Sequence, residues 1–290
     1  INKATLEVPS KFIDHGPINP DADQHQKWKG AAGLADDVRY YGKLMREEAE
    51  KSIGHLYPKV KITEELASGR PDLASYVGRE LTVIAWLWAR TVKSPNPAFR
   101  DIDVPLASTF VLSTKSGKEA WVEPVADATR GYRFVVRTEG KPPAEAKTGT
   151  KLGRGANFRC IMSDGPIAGQ YVKEEGRAGR MGARLMAIVA EGDRGRVYLS
   201  ATSDQENQAF QVEPDWRPDT ALPDDPRNFW TVQYGLSTFG DLFTDRQLVV
   251  LGTVAKLVGV VRERALTDAR NHYDDPLIAK AYADGVAIYL

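Results

Sequence analysis

The sequence predicts an α/β chain, strand-rich in the middle and helical at both ends, and three observations carry that reading. Between residues 33 and 54, Leu34, Val38, Tyr41, Met45 and Ala49 fall at spacings of three and four, with Asp36, Arg39, Lys43 and Glu47 on other faces, the pattern of an amphipathic helix. Residues 81–92 change period: Ile84, Trp86 and Trp88 alternate with Val83, Ala85 and Leu87, which suits a strand buried on both faces. Towards the end, Leu248, Leu251, Val254, Val258 and Val261 form a second helical stripe. It follows Thr244-Asp245-Arg246-Gln247, whose threonine and glutamine have the spacing of a reciprocal helix cap.

Taken in chain order, residues 5–30 contain Pro9, Gly16, Pro17, Pro20 and Gly30 and read as an extended loop. Gly54 and Pro58 stop the first helix. Residues 104–112 and 120–125 read as strands joined at the turn Lys115-Ser116-Gly117-Lys118, and 132–137 as another. Residues 139–154, rich in Gly, Pro, Lys and Thr, read as a mobile connection. Residues 184–191 and 196–201 flank Gly192-Asp193-Arg194-Gly195 and read as a hairpin; a helix ending at Glu191 fits the same residues. A loop with Pro214, Pro218, Pro223 and Pro226 then leads to the last helices, and no internal repeat is visible. This divides the chain into a helix-bearing segment 1–78, a strand-rich segment 79–201 and a loop-and-helix segment 202–290.

Composition bounds the function. Apolar residues make up 42% and aromatics 9% of 290 residues, enough for a core. Lys plus Arg and Asp plus Glu are both 39; a zero balance argues against a histone-like partner and leaves room for a local basic face. The single cysteine, Cys160, precludes a disulfide within the chain and fits a reducing, cytoplasmic compartment. The longest apolar run, 81–89, falls well short of the roughly 20 residues that span a bilayer, and no secretory signal opens the sequence, so no membrane partner is expected. The start at Ile1-Asn2-Lys3-Ala4 and the apolar end at 283–290 read as cuts within a longer protein; a processed chain is the alternative.

Two motifs carry chemistry. The stretches Lys93-Ser94-Pro95-Asn96-Pro97-Ala98-Phe99 and Arg159-Cys160-Ile161-Met162-Ser163-Asp164-Gly165 look like the two knuckles of a zinc ribbon. Each knuckle supplies two thiolates, and a glycine after the second pair lets the backbone turn. Here the four ligand positions read Ser94, Phe99, Cys160 and Ser163, and the same residues fit two ordinary loops and a buried cysteine. Phe99 is expected to fill the space of a missing ligand, with Trp86 and Trp88 adding apolar contact. The second motif is Gly176-Arg177-Ala178-Gly179-Arg180-Met181-Gly182-Ala183-Arg184. Glycines admit close backbone approach and arginines grip phosphate bidentately, so Arg177, Arg180 and Arg184 are candidate phosphate contacts, extended by Arg194 and Arg196 if the hairpin folds back onto them. A glycine-rich bend with solvated arginines fits equally. His15, His25, His55 and His272 are scattered and suggest no metal site, and Asp225-Pro226-Arg227-Asn228 reads as a turn.

Longer stretches add a resemblance. They are Ile1-Asn2-Lys3-Ala4, Asp36-Asp37-Val38-Arg39-Tyr40-Tyr41-Gly42, Ile53-Gly54-His55-Leu56-Tyr57-Pro58, residues 82–92, residues 179–199, and Leu242-Phe243 with Arg246-Gln247-Leu248. Together they resemble adenine-specific DNA methylases that carry a zinc-ribbon insertion, over essentially the whole chain. The resemblance implies helical segments of a Rossmann-like methyltransferase flanking a strand-rich, zinc-ribbon-like insertion. In such proteins a cofactor loop precedes the Ile-Asn-Lys-Ala segment and Asp-Pro-Pro-Tyr follows the insertion. Neither motif is in this chain, so no catalytic and no cofactor-binding residue is assigned in it. For the whole enzyme the resemblance implies S-adenosylmethionine as cofactor, double-stranded DNA as partner, and methyl transfer to an adenine rotated out of the duplex. The setting would be restriction-modification or phage defence, with other defence proteins as further partners. This segment then supplies scaffold and DNA contact and transfers no methyl group by itself. Some family members have cysteines at both knuckles; the departures at Ser94, Phe99 and Ser163 mean that no zinc is expected. The competing reading is a non-enzymatic, metal-free ribbon module that binds protein or nucleic acid.

Overall fold

A computed structural model describes every residue except Ile1, Gln24, 128–130, Pro226, Asn228 and Phe229. Parts of the Ile1-Asn2-Lys3-Ala4 and Asp225-Pro226-Arg227-Asn228 motifs therefore lie outside the described residues. Helix takes 42% and strand 21% of the chain, a mixed helix-and-sheet class. No described helix is long and apolar enough to cross a membrane.

The elements run in order: a helical turn Lys3–Glu7, α1 (Val8–Lys11), α2 (Ala32–Ile53), β1 (Val60–Lys61), α3 (Glu64–Ala67), β2 (Glu80–Leu81), β3 (Val83–Lys93), β4 (Asp103–Pro105), β5 (Val111–Ser113), β6 (Ala120–Asp127), β7 (Gly131–Arg137) and α4 (Ala144–Thr148). Then come β8 (Phe158–Arg159), β9 (Pro166–Ile167), α5 (Gly169–Arg177), β10 (Gly182–Gly192), β11 (Gly195–Ser200), α6 (Ser203–Phe210), α7 (Asp245–His272) and α8 (Pro276–Ala287). They form two compact units: Ile1–Leu56 with Glu213–Trp216 and Asp245–Leu290, and Tyr57–Val212 with Arg217–Thr244. The breaks fall at different places from 78/79 and 201/202, and residues from both ends of the sequence share one unit.

The first unit contains no described strand. Its core joins Val8, Phe12, Ile18, Leu34 and Tyr41 to Val261, Ala265, Ala269, Ala279, Tyr282, Ala283 and Val286. The alanines let α2, α7 and α8 approach closely. The expected loop at 5–30 is helical at its start because Val8 and Phe12 are core residues, 7% and 2% exposed. The stripe on α7 also differs from expectation: Leu248 and Val261 are buried, but Leu251 is 48% exposed.

At the centre of this unit sits an acid. Asp37 is 0% exposed. One of its carboxylate oxygens accepts from Ile18 N (2.8 Å) and Tyr282 Oη (2.7 Å), and the other from Asn19 N (2.9 Å) and Asn19 Nδ2 (2.8 Å). Burial lifts its pKa above the ordinary carboxylate value, against the pull of those four bonds. Tyr41 Oη donates to Asp268 Oδ2 at 2.9 Å, tying α2 to α7 in the same way.

Every pairing between named strands in the second unit is antiparallel. A four-stranded sheet has the order β11-β10-β3-β4, a three-stranded sheet the order β5-β6-β7, and β1-β2 and β8-β9 form small ribbons. The hairpin expected at 184–201 is β10-β11, with Glu191 opposite Arg196. The strand expected at 104–112 is two, because β4 pairs with β3 whereas β5 pairs with β6. On β3, Trp86 packs edge-on to Tyr57 and Trp88 to Phe210, at 5.4 and 5.3 Å between ring centroids. Ile84 is 49% exposed, so this strand is not buried on both faces along its length.

The expected mobile connection at 139–154 is tied down. Thr150 is 1% exposed; its Oγ1 donates to Pro105 O at 2.7 Å and accepts from Ala107 N at 3.1 Å. Gly149 precedes it at φ +59°, where a Cβ would lie 2.4 Å from Ala107 O, so only glycine fits that approach.

Candidate functional site

Two chain reversals meet in the second unit. The first follows β3: Ser94 N donates to Ile102 O at 3.0 Å, Asn96 Oδ1 accepts from Ala98 N at 3.0 Å, and β4 returns beside β3. The second lies between β8 and β9, closed by Cys160 N donating to Gly165 O (2.8 Å) and Asp164 N to Cys160 O (2.9 Å). Its left-handed residue is Asp164, at φ 59°, rather than Gly165. Ser94 and Cys160 are 3% and 1% exposed, and Ser94 Oγ lies 3.5 Å from Cys160 Sγ. Burial pushes the thiol up. Hydrogen bonds from the Ser163 and Ser94 hydroxyls and the Met162 and Ser163 amides outweigh burial and leave it below its ordinary value. Three of the four ligand positions, Ser94, Cys160 and Ser163, thus form one hydrogen-bonded cluster.

Phe99 is not part of it. It is half-buried and lies outside the apolar cluster of Val92, Val104, Cys160, Ile167 and Val172, against which Phe158 and Met162 pack instead. Trp86 and Trp88 pack in a different cluster, around Ile188 and Leu199. The space round the thiol is filled by Val92 and Val104 of β3 and β4 together with residues of the second reversal and its flanks. The donors do not suit zinc, which takes four ligands drawn from thiolate, imidazole and carboxylate. This cluster offers one thiol and two hydroxyls, and no group of three or more His, Cys, Asp or Glu side chains is gathered elsewhere among the described residues.

The five candidate arginines separate into different roles. Arg180 is spanned by Glu175, with Nε–Oε2 at 3.1 Å and Nη2–Oε1 at 2.6 Å, and this pairing holds the Glu175 carboxyl below its ordinary value. Arg184 donates through Nε to Glu206 Oε1 at 2.8 Å and lies over the Tyr132 ring at 5.2 Å. Both are therefore already committed to protein partners. Arg177, Arg194 and Arg196 are exposed and make no ion pair with a carboxylate among the described residues. The hairpin does not bring Arg194 and Arg196 back to Arg184. They sit at its far end, eight residues along β10, which at ~3.3 Å per residue is on the order of 25 Å. There Lys118 joins them, its Nζ donating to Arg194 O at 2.6 Å, around a cavity of 380 Å³ whose lining also includes Asp72, Glu119 and Glu139.

A surface richer in cations than acids lies outside both motifs. An open cavity of 920 Å³ is lined by Lys59, Lys61, Arg133 and Arg137, with Trp121 and Glu123 among its other walls. Arg137 pairs with Glu123 at 2.6 Å. The signal for the others was alternation: Tyr132, Phe134 and Val136 point inward, leaving Arg133 and Arg137 outward, as Val60 between Lys59 and Lys61 points inward.

None of the named strands pairs in parallel, and none leads through a glycine-rich loop into a helix. No protein-family model, curated protein or solved structure matches the chain.

Proposed function

We propose that this chain is the metal-free ribbon insertion, with its adjoining helices, of an adenine-specific DNA methyltransferase, and that it contributes scaffold and DNA contact rather than chemistry. One observation carries the reading. Ser94 and Cys160, 66 residues apart and both at positions where the resembling family places zinc ligands, approach to 3.5 Å in a buried cluster. Unrelated loops have no reason to converge at those positions. The contact to DNA is made by exposed cations that form no ion pair among the described residues, chiefly Arg194 and Arg196 with Lys118, and by Arg177. Arg180 and Arg184 are structural.

The test is fluorescence anisotropy of a labelled duplex titrated with the chain at several salt concentrations. Two phosphate contacts add about −1.8 to the slope of log K against log salt. Arg194→Ala with Arg196→Ala should remove that much, equally for all sequences. Absence of salt-dependent binding, or an unchanged slope in the double variant, refutes the assignment. Transfer of methyl groups by this chain alone would refute the division of labour.

A further inference from the structure

The cavities of 920 and 380 Å³ adjoin along β11. Thr138 and Glu139 line both; residues 199 and 200 of β11 line the larger and 195–198 the smaller. At ~3.3 Å per residue, the 6 residues of β11 make a track of about 20 Å. Its middle is pinned. Arg70 Nη2 donates to Tyr198 O at 2.8 Å and to Asp72 Oδ2 at 2.7 Å, and Thr138 Oγ1 donates to Asp72 Oδ1 at 3.3 Å. The whole track lies within the second unit.

Cations line it at both ends. Lys59 and Lys61 flank the buried Val60, and Arg133 alternates with the buried Tyr132 and Phe134 on β7. Lys118 follows the turn before β6, and Arg194 and Arg196 belong to the β10-β11 turn and its flank. All are exposed, and none pairs with a carboxylate among the described residues. Arg70 and Arg137 also line the larger cavity, but Asp72 and Glu123 take them. The acids of the lining that form no ion pair among the described residues are Glu65, Glu119 and Glu139, so the exposed cations outnumber them two to one. Two residues of strand span ~6.6 Å, which sets Lys59 and Lys61 about one backbone step of an extended nucleic acid strand apart. The aromatic rings of the lining, Tyr76, Trp121 and Tyr198, are buried or half-buried. They offer no open platform for stacking bases, which leaves the phosphates as the groups to be held. A single strand fits inside such a cleft. A duplex carries its phosphates on the outside of a stiff cylinder and reaches only the rim.

We infer that one strand of nucleic acid lies along this track, its phosphates running from Lys118, Arg194 and Arg196 at one end to Lys59, Lys61 and Arg133 at the other. The inference rests on the DNA contact proposed above for the first three and extends it to a strand separated from its complement.

The probe is a labelled oligothymidylate of about twelve nucleotides, compared with a duplex of the same length, titrated into the full chain by fluorescence anisotropy at several salt concentrations. Lys59→Ala with Lys61→Ala and Arg133→Ala should flatten the slope of log K against log salt by about 2 for the single strand, at ~0.7 per phosphate, and leave the duplex slope as it was. Arg194→Ala with Arg196→Ala should flatten both. Glu139→Gln, at the wall the two cavities share, should tighten single-strand binding about threefold by removing a like charge, a gain that a misfolded variant cannot give. A single-strand slope unaltered by the triple variant, with duplex binding still sensitive to Arg194 and Arg196, overturns the track and leaves the DNA contact standing. Equal flattening for strand and duplex by the triple variant overturns the choice of a single strand. No effect of the Arg194 and Arg196 changes on either probe overturns the DNA contact and the track with it.

Discussion

Removing the acceptor at Asp37 should loosen the helical unit by an amount the hydrogen bonds fix. Four donors converge on its carboxylate: the amides of Ile18 and Asn19, the Asn19 side chain, and the Tyr282 hydroxyl. In Asp37→Ala the two side-chain donors can turn away, but the two backbone amides cannot. A buried donor left without a partner costs ~1–3 kcal/mol, so two of them and a small void put the loss at about 3–5 kcal/mol. Asp37→Asn keeps one carbonyl oxygen and places an amide where the other was. Whichever way it turns, one backbone N–H faces another donor, for about 1–3 kcal/mol. Tyr282→Phe removes a single bond and should cost about 1–2 kcal/mol. Because the chain has two compact units, the measurement must be local: native-state hydrogen exchange of amides in α2 and α8 resolves it. Equal losses for Asn and Ala, or a loss below about 1 kcal/mol for Ala, would show that the acid is not the organising acceptor.

Asp37 also sets a pH dependence. Its folded pKa is raised by burial, so the folded state holds the proton more tightly than the unfolded chain. Stability from this group should therefore grow as pH falls from neutral towards the ordinary carboxylate range, and be lost as pH rises through the folded value. Asp37→Asn should abolish that slope in hydrogen exchange followed upward from the ordinary carboxylate range, corrected for intrinsic rates. At the knuckles, a chelator should leave the melting temperature unchanged and elemental analysis should find no zinc; one zinc per chain would refute this. Phe99→Ala should cost no more than about 1 kcal/mol in urea denaturation, well below the ~3–5 kcal/mol of a buried phenylalanine, since the ring stands outside the Cys160 cluster. Arg184→Ala should lower stability by about 1–2 kcal/mol by stranding Glu206 and uncovering Tyr132, with DNA affinity unaltered, whereas Arg177→Ala should do the reverse.

Local pattern was legible where one period ran without interruption. The helix at 32–53, the strand at 131–137 and the hairpin at 182–200 follow from periods of 3.6 and 2 with turn residues between. The two reversals could be located from Ser94-Pro95-Asn96-Pro97 and Ser163-Asp164-Gly165, but not their meeting, which rests on Cys160 and Ile167 packing against Val92 and Val104. The prolines and glycines at 5–30 concealed the short helix around Val8, whose helicity comes from packing Val8 and Phe12 against α8 rather than from its own propensity. Arg180 and Arg184 looked free because their partners, Glu175 and Glu206, are set by tertiary contact and by the end of α5. Asp37 was hidden by its residue type: position 37 shares the helix face of Leu34 and Tyr41, but an acid there reads as surface until the donors from residues 18, 19 and 282 make its burial tolerable.

The composition of the first unit bears on how the chain is made. Ile18, Asn19 and Asp37 precede the second unit in the chain, Tyr282 follows it, and all four belong to one hydrogen-bonded centre. At about 5–20 residues per second, the roughly 190 residues between the two halves of that unit take on the order of 10–40 s to synthesise. Through that interval α2 has no α7 or α8 to cover Leu34 and Tyr41, although most of the second unit is already available to fold. A chain halted before residue 245 would carry the sheet unit's residues and an uncovered apolar helix, a form suited to capture by chaperones and proteases.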